Sequence, residues 1–290
     1  MNELFAQIMS ICISFYLTSF IHFILAGILF SIPILSSYPR CSNQKDWWNN
    51  RSVRIDFLYF LFGPLFNLAI RYITIFLLFI VLFLIMPVQN IYDYLFGGHG
   101  LLSKLDRLSQ GIVYLFLSDF LMYWIHRIFH GKILWPIHMI HHTCVDVDWT
   151  TSYRFHPLNL AMGPWLVSSS LFFMGISPAN ILWVSYIEVF MSYFVHSNLN
   201  ITLGPLKRII STPVFHRWHH TRELEGSASN FGGIFALWDV IFGTYYLPPK
   251  KLPNNYGIKD FTIDDSFLKQ LLLPIIIYYN NIILLRDGKN

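Results

Sequence analysis

The chain has 290 residues, of which 54% are hydrophobic, 18% aromatic and only 12% charged, where soluble domains carry about 25% charged residues. That composition points away from an ordinary soluble domain and towards an integral membrane protein. A formal net charge of +4 with no basic stripe speaks against nucleic-acid binding, and three cysteines without a C-x-x-C pair give neither a disulfide framework nor a thiolate metal site.

Residues 5–35 are apolar, with no basic residue before them and no small-residue cleavage site, and read as a retained first span. Residues 56–87 form a second long apolar run, interrupted by Pro64 and Arg71. Residues 111–125 are apolar and lead straight into the first histidines. Residues 158–195 break at GISP, 175–178, and suit a helical hairpin whose last span carries Glu188, an intramembrane carboxylate. The final apolar stretch, 267–285, contains Lys269, Pro274, Asn280 and Asn281 and reads as an interfacial helix. The expected architecture is therefore all-α and multi-pass. It comprises N-terminal spans in 1–110, a histidine-rich region 111–260 with spans near 111–125 and 158–195, and a C-terminal interfacial helix in 261–290.

Orientation follows from loop charge. Segments 36–55, 126–156 and 196–260 hold most of the Lys and Arg between the apolar runs, among them Arg40, Arg54, Arg127, Arg154, Lys207 and Arg222. If 56–87 crosses once, five spans put all three segments on the cytoplasmic side, with the N-terminus outside.

Ten of the twelve histidines fall between residues 126 and 220. They are His126 and His130 in HRIFH, His138, His141 and His142 in HMIHH, His156 in RFHP, His196 in FVHSN, and His216, His219 and His220 in HRWHH. His22 and His99 lie apart. On a helix, positions i, i+3 and i+4 neighbour one another, so each H-x-x-H-H triplet is expected to present three imidazoles on one face. Pro136, and Thr212 followed by Pro213, suit helix starts just ahead of the two triplets. A lone histidine near a membrane is usually interfacial, but ten crowded imidazoles without a shared partner would repel one another and resist burial. A bound cation removes both costs. One tetrahedral zinc uses four ligands, so ten suit two ions, although imidazole alone does not choose among Zn, Cu, Fe and Ni. The absence of H-E-x-x-H speaks against a zinc protease. Cys144, close to the first triplet, reads as a small apolar filler.

The order H-x-x-x-H, H-x-x-H-H, H-x-x-H-H resembles the fatty acid hydroxylase/sterol desaturase superfamily. The likeness extends to SDFLMYWIHR at 118–127, RFHPLN at 154–159, HSNL at 196–199, NFGG at 230–233 and WDVIFGTYYLP at 238–248. It covers about 115–248. The resemblance implies a membrane-bound, oxygen-dependent di-iron oxidoreductase that hydroxylates or desaturates a lipid C–H bond, with two iron ions and O2. The external electron donor would be cytochrome b5 or a ferredoxin with its reductase. The membrane would be the plasma membrane in a bacterium or the endoplasmic reticulum in a eukaryote. The eight histidines of the three boxes match the family's ligands, His196 matches a further one, and His156 matches its F-H-P motif. One departure stands out: the fatty acid 2-hydroxylase branch has an H-x-x-x-H ending near the equivalent of His196, whereas Ser192 stands here. That leaves the tenth ligand open, with His156 as the candidate. Asp119, Asn230 and Asp239 are the polar residues expected to support the ligands. The rival readings are a histidine-rich membrane metal transporter or sensor, with ligands at the bilayer midplane, and a haem-binding electron-transfer protein.

Overall fold

The computed structural model describes residues 17–31, 38–42, 51–88, 90–91, 94, 99–223, 226, 228–259 and 266–286. The described residues are helical and contain no strand, only isolated bridges between Arg40 and Leu199 and between Thr221 and Tyr256. The helices that matter for the site are α1 (Leu17–Ser31), α2 (Arg51–Ile85), α3 (Arg107–Phe129), α4 (Trp135–His138), α5 (Pro157–Leu160), α6 (Leu166–Phe173), α7 (Pro178–His196), α8 (Pro213–His219), α9 (Leu237–Ile241) and α10 (Phe267–Arg286).

Two helices are long and apolar enough to cross a membrane, Ser52–Ile85 and Arg107–Phe129, and Leu17–Ser31 is a shorter apolar one. Of the expected first span, residues 5–16 and 32–35 lie outside the described residues. The 56–87 run is one helix through Pro64 as far as Ile85, not a hairpin. At ~1.5 Å per residue it is about 50 Å long, more than the ~30 Å of bilayer hydrocarbon. The hairpin expected over 158–195 is present. A π turn at Ala161–Trp165, holding Pro164, joins α5 to α6, and the chain then reverses through Gly175 into α7. Gly175 has φ +101, and a Cβ there would lie 2.0 Å from the His99 carbonyl oxygen, so only glycine fits. Gln110 Oε1 ties the turn to α3 by accepting from the Ser177 N–H and the Asn180 amide.

Tyr114 on α3, Val167 and Leu171 on α6 and Val184 on α7 pack into one buried cluster. At the opposite end of α7, Ala26 and Phe30 of α1 meet Trp149, Tyr193 and Leu199. The outer faces stay apolar and exposed, with Phe76 64% and Leu182 60% exposed. The C-terminal ends of α3 and α7 and the N-terminal end of α2 gather on one side of the bundle, where α8 and the 3-10 turns after α4 pack against them. The histidines are there.

Candidate metal centre

Nine of the ten clustered histidines converge into two adjoining nests. His126, His130, His138, His142 and His219 form one, and His141, His196, His216 and His220 the other; within each, one nitrogen per residue lies within 4.8 Å of all the rest. The triplets do not each present a single face, as their spacing had suggested. In HMIHH, His138 and His142 go to the first nest and His141 to the second; in HRWHH, His216 and His220 go to the second and His219 to the first. At about 100° per residue, i and i+4 diverge by only ~40°, whereas i+3 and i+4 diverge by ~100°. Each box therefore gives its i, i+4 pair to one nest and lends its i+3 residue to the other. The nests touch where the His142 and His220 rings stack, with centroids 4.5 Å apart. Local sequence explains the placement: Thr212 Oγ1 accepts from the Phe215 N–H and Pro213 fills the first turn, so α8 starts one turn ahead of His216.

Five of the nine imidazoles are held as single tautomers. The Nδ1–H of His126 donates to Phe231 O (2.8 Å), that of His141 to Arg154 O (3.2 Å), that of His196 to Ser192 O (2.7 Å) and that of His219 to Ser229 O (2.7 Å). His138 Nδ1–H donates to Asn159 Oδ1 at 2.7 Å. Carbonyl oxygens only accept, so each of these rings turns a bare Nε2 lone pair inwards. Those lone pairs face one another: His126 and His138 Nε2 are 3.1 Å apart, as are His141 and His196 Nε2. Neither pair has a proton to share. Burial, reinforced by the neighbouring imidazoles, holds the pKa values of His141, His142, His216 and His220 well below the usual ~6.5, so protonation does not relieve the contact. The Nε2 atoms of His130 and His219 are buried without a hydrogen bond. A cation satisfies all of this at once. Nitrogens bound to one ion at ~2.1 Å stand ~3.0 Å apart at a right angle and ~3.4 Å at a tetrahedral one, and six Nε2 pairs here stand 3.0–3.3 Å apart.

Loop 229–239 is the second layer of the site. It supplies Ser229 O to His219 and Phe231 O to His126. Asp239 pins it by accepting from the Phe231 and Gly232 N–H groups at 2.8 and 2.7 Å, and Asp119 by accepting from Ile234 N–H, Phe235 N–H and Trp238 Nε1–H. Asn230, at φ +61, donates to Phe215 O and Tyr246 O and accepts from Tyr246 N–H. Asp239 acts one bond removed from the His126 ring, through Phe231, while Asn230 and Asp119 brace the backbone on either side; Asp119 does not face the nests, because both its oxygens are taken by the loop. Asp239 is fully buried, neither a surface ion pair nor a helix cap.

His156 is the one expected ligand that lies outside both nests. Its Nδ1 accepts from the Leu158 N–H at the start of α5, and its Nε2–H donates to Leu271 O on α10. Both ring nitrogens are thus engaged, and in the same F-H-P stretch the ring serves as a helix cap ahead of Pro157. Ser192 is no ligand, but its carbonyl fixes His196. His99 bonds Phe172 O, far along the chain from the nests. Glu188 accepts from the Ser118 hydroxyl at 2.7 Å. Cys144 is buried against His220 Nδ1 at 3.8 Å, and burial pushes its thiol up to about 12, so it packs as a neutral group.

Sequence reasoning missed two supports. Asn159, inside the quoted RFHPLN, orients His138, and nothing in its spacing marks it. Arg154, whose carbonyl orients His141, is fixed by a buried ion pair with Asp56 at 2.6 Å and by Ser52 and Thr143. A lone basic residue beside a histidine reads as loop charge until α2 is brought alongside.

The fatty acid hydroxylase family model matches residues 111–244, which contain every residue of the two nests. An ornithine lipid hydroxylase of Rhizobium tropici is 31% identical over 57% of this chain and 50% of its own length. The human alkylglycerol monooxygenase is 32% identical over 48% of this chain and 31% of its own length. A putative methylsterol monooxygenase of Dictyostelium discoideum is 27% identical over 79% of both chains. The match thus spans half or less of the first two relatives. No solved structure matches the chain. The segment that holds both nests of inward-facing imidazole nitrogens, and the loop that carries NFGG, is thus the segment similar to the fatty acid hydroxylase family.

Proposed function

We propose that the protein is a membrane-bound di-iron oxidoreductase that uses O2 to hydroxylate a lipid C–H bond. The observation that carries this reading is the pair of adjoining nests, one of five imidazoles and one of four, in which the Nε2 lone pairs of His126 and His138 and of His141 and His196 face one another without protons. The family supports iron over the other metals that imidazole accepts, and three relatives are named for hydroxylation or monooxygenation of lipids. His126, His130, His138, His142 and His219 would hold one ion, and His141, His196, His216 and His220 the other. Bound iron would supply the activation of dioxygen. The chain's own residues do the rest: carbonyls of Phe231, Ser229, Arg154 and Ser192 fix the ring tautomers, and near-complete burial excludes bulk water from His219 and His220.

The topology consistent with this reading has α2 crossing once, five spans in all, and the nests on the cytoplasmic side. The last helix lies at the interface, and electrons arrive from an external cytochrome b5 or ferredoxin. A transporter fits less well, because the ligands sit at helix ends in closed nests rather than along a path through the bundle.

The test is lipid analysis of membranes with and without the protein under isotopically labelled dioxygen. A lipid gaining one labelled oxygen atom is expected. An unlabelled product short of two hydrogens would reassign the reaction to desaturation, and metal flux without any lipid oxidation would defeat the proposal.

A further inference from the structure

A cleft of ≈ 710 Å³ runs between α1, α2 and α7, and nothing so far assigns it a ligand. Its volume suits a small-molecule site, for which ~300–1,000 Å³ is typical. One end is closed by Tyr153, Phe155 and Tyr193. That end adjoins the nests: the Phe155 ring stacks on His141 with centroids 4.1 Å apart, Tyr153 and Tyr193 share a hydrogen bond of 2.8 Å, and Tyr193 precedes the nest residue His196 by one helical turn. Besides Ser152 beside that wall, the lining holds Thr18, Ser19 and His22 on α1, Asn67 on α2 and Ser185 on α7.

Two of those polar groups are out of place, whereas the Ser185 and Ser152 hydroxyls donate to backbone carbonyls. Asn67 and His22 have no hydrogen-bond partner among the described residues; the His22 ring only meets the edge of Tyr186. Pro64, which also lines the cleft, has no N–H to give the Phe60 carbonyl four residues back. In a bilayer an unsatisfied amide or carbonyl costs several kcal/mol. An alkyl chain would leave that cost standing, whereas a ligand with a hydroxyl, ester or amide group at this level would remove it. Two helices give the same separation. Ser185 lies eight residues before Tyr193 on α7, and Asn67 eight after Tyr59 on α2, each about 12 Å at ~1.5 Å per residue.

We infer that the cleft is the substrate site and that it selects a lipid bearing a hydrogen-bonding group about 12 Å from the carbon presented to the imidazoles, with Asn67 and His22 reading that group. Tyr153, Phe155 and Tyr193 form the end wall at which the reacting carbon is presented. The inference rests on the proposed lipid-oxidising function but concerns which lipid is chosen.

The test is equilibrium binding to the full-length purified protein in mixed micelles, with stearate, 2-hydroxystearate and 12-hydroxystearate as probes, alongside bound-metal analysis. A hydroxyl at carbon 12 places a polar group at the level of Asn67 when the carboxyl end lies at the wall. We expect 12-hydroxystearate to bind about five-fold more tightly than the other two, the worth of roughly one hydrogen bond. Asn67→Leu should abolish the preference without changing metal content, and Asn67→Gln should keep part of it. Equal binding of the three probes, or a preference unchanged in both Asn67→Leu and His22→Leu, overturns the inference. Binding is read without turnover, so loss of lipid oxidation or of two-metal occupancy would count against the proposed function and leave the cleft assignment to its own result.

Discussion

His141 and His196, fifty-five residues apart in sequence, meet Nε2 to Nε2 at 3.1 Å while both Nδ1–H groups are spent on backbone carbonyls. Two lone pairs at that distance repel unless a cation lies between them. We therefore expect two ions per folded chain by elemental analysis, iron in the active form, and a large drop in unfolding temperature on chelation. The apoprotein should also be acid-sensitive in a defined window. Its buried histidines have folded pKa values well below the unfolded ~6.5. Their stabilisation is thus present above pH ~6.5 and is lost as pH falls from there towards the folded values, because the unfolded chain takes up the protons first. A folded preparation with one ion or none, or an apoprotein equally stable on both sides of pH 6.5, would contradict this.

His219→Ala removes the residue that the second H-x-x-H-H box lends across to the first nest. The expected outcome is loss of lipid oxidation and of one ion, with expression preserved, since no span depends on that ring. His156→Ala is the contrasting variant. It should retain both ions and cost about 1 kcal/mol of stability through the lost cap at Leu158. Measuring bound metal in both variants separates the assignments: a metal-depleted His156→Ala would return it to the ligand set.

Asp239→Ala probes the loop rather than the ligands. It strips the buried Phe231 and Gly232 N–H groups of their acceptor, which costs about 1–3 kcal/mol. It also frees the carbonyl that aims His126. Metal affinity at the first nest should fall roughly 10–100-fold, with the second nest unaffected because none of its rings leans on this loop. Uniform loss from both nests in metal titrations would refute that division.

The nine nest histidines were legible because helical spacing crowds them in so short a window, and the long apolar runs announced the helices. The division of the boxes between two nests was not legible. The i+3 residue looks equivalent to its neighbours on a helical wheel until a second helix shows which side it faces. His156 stands apart for a related reason: a histidine ahead of a proline at a helix start fits a cap as well as a ligand, and only Leu271 on α10 reveals where its second nitrogen goes. Asp119 and Asp239 were found by proximity, but their role in holding loop 229–239 depends on backbone N–H groups that no side-chain pattern encodes.

Asp56 and Arg154 offer the sharpest test of how the long apolar helix α2 holds the site. Their side chains are 1% and 3% exposed, joined at 2.6 Å, with Thr150 donating to the second carboxylate oxygen. Removing one partner of such a pair strands a buried charge and typically costs about 3–5 kcal/mol, whereas replacing both with apolar residues is far milder. Asp56→Ala should therefore lower the unfolding temperature in detergent steeply, and Asp56→Leu combined with Arg154→Met should recover much of the loss. The two variants should also differ in metal. Arg154 carries the carbonyl that orients His141, so Asp56→Ala should weaken the second nest while leaving His126 and His219 of the first, which rest on a different loop, at full occupancy. An Asp56→Ala protein that melts with the wild type and keeps both ions would mean that α2 merely lies beside the centre and does not brace it.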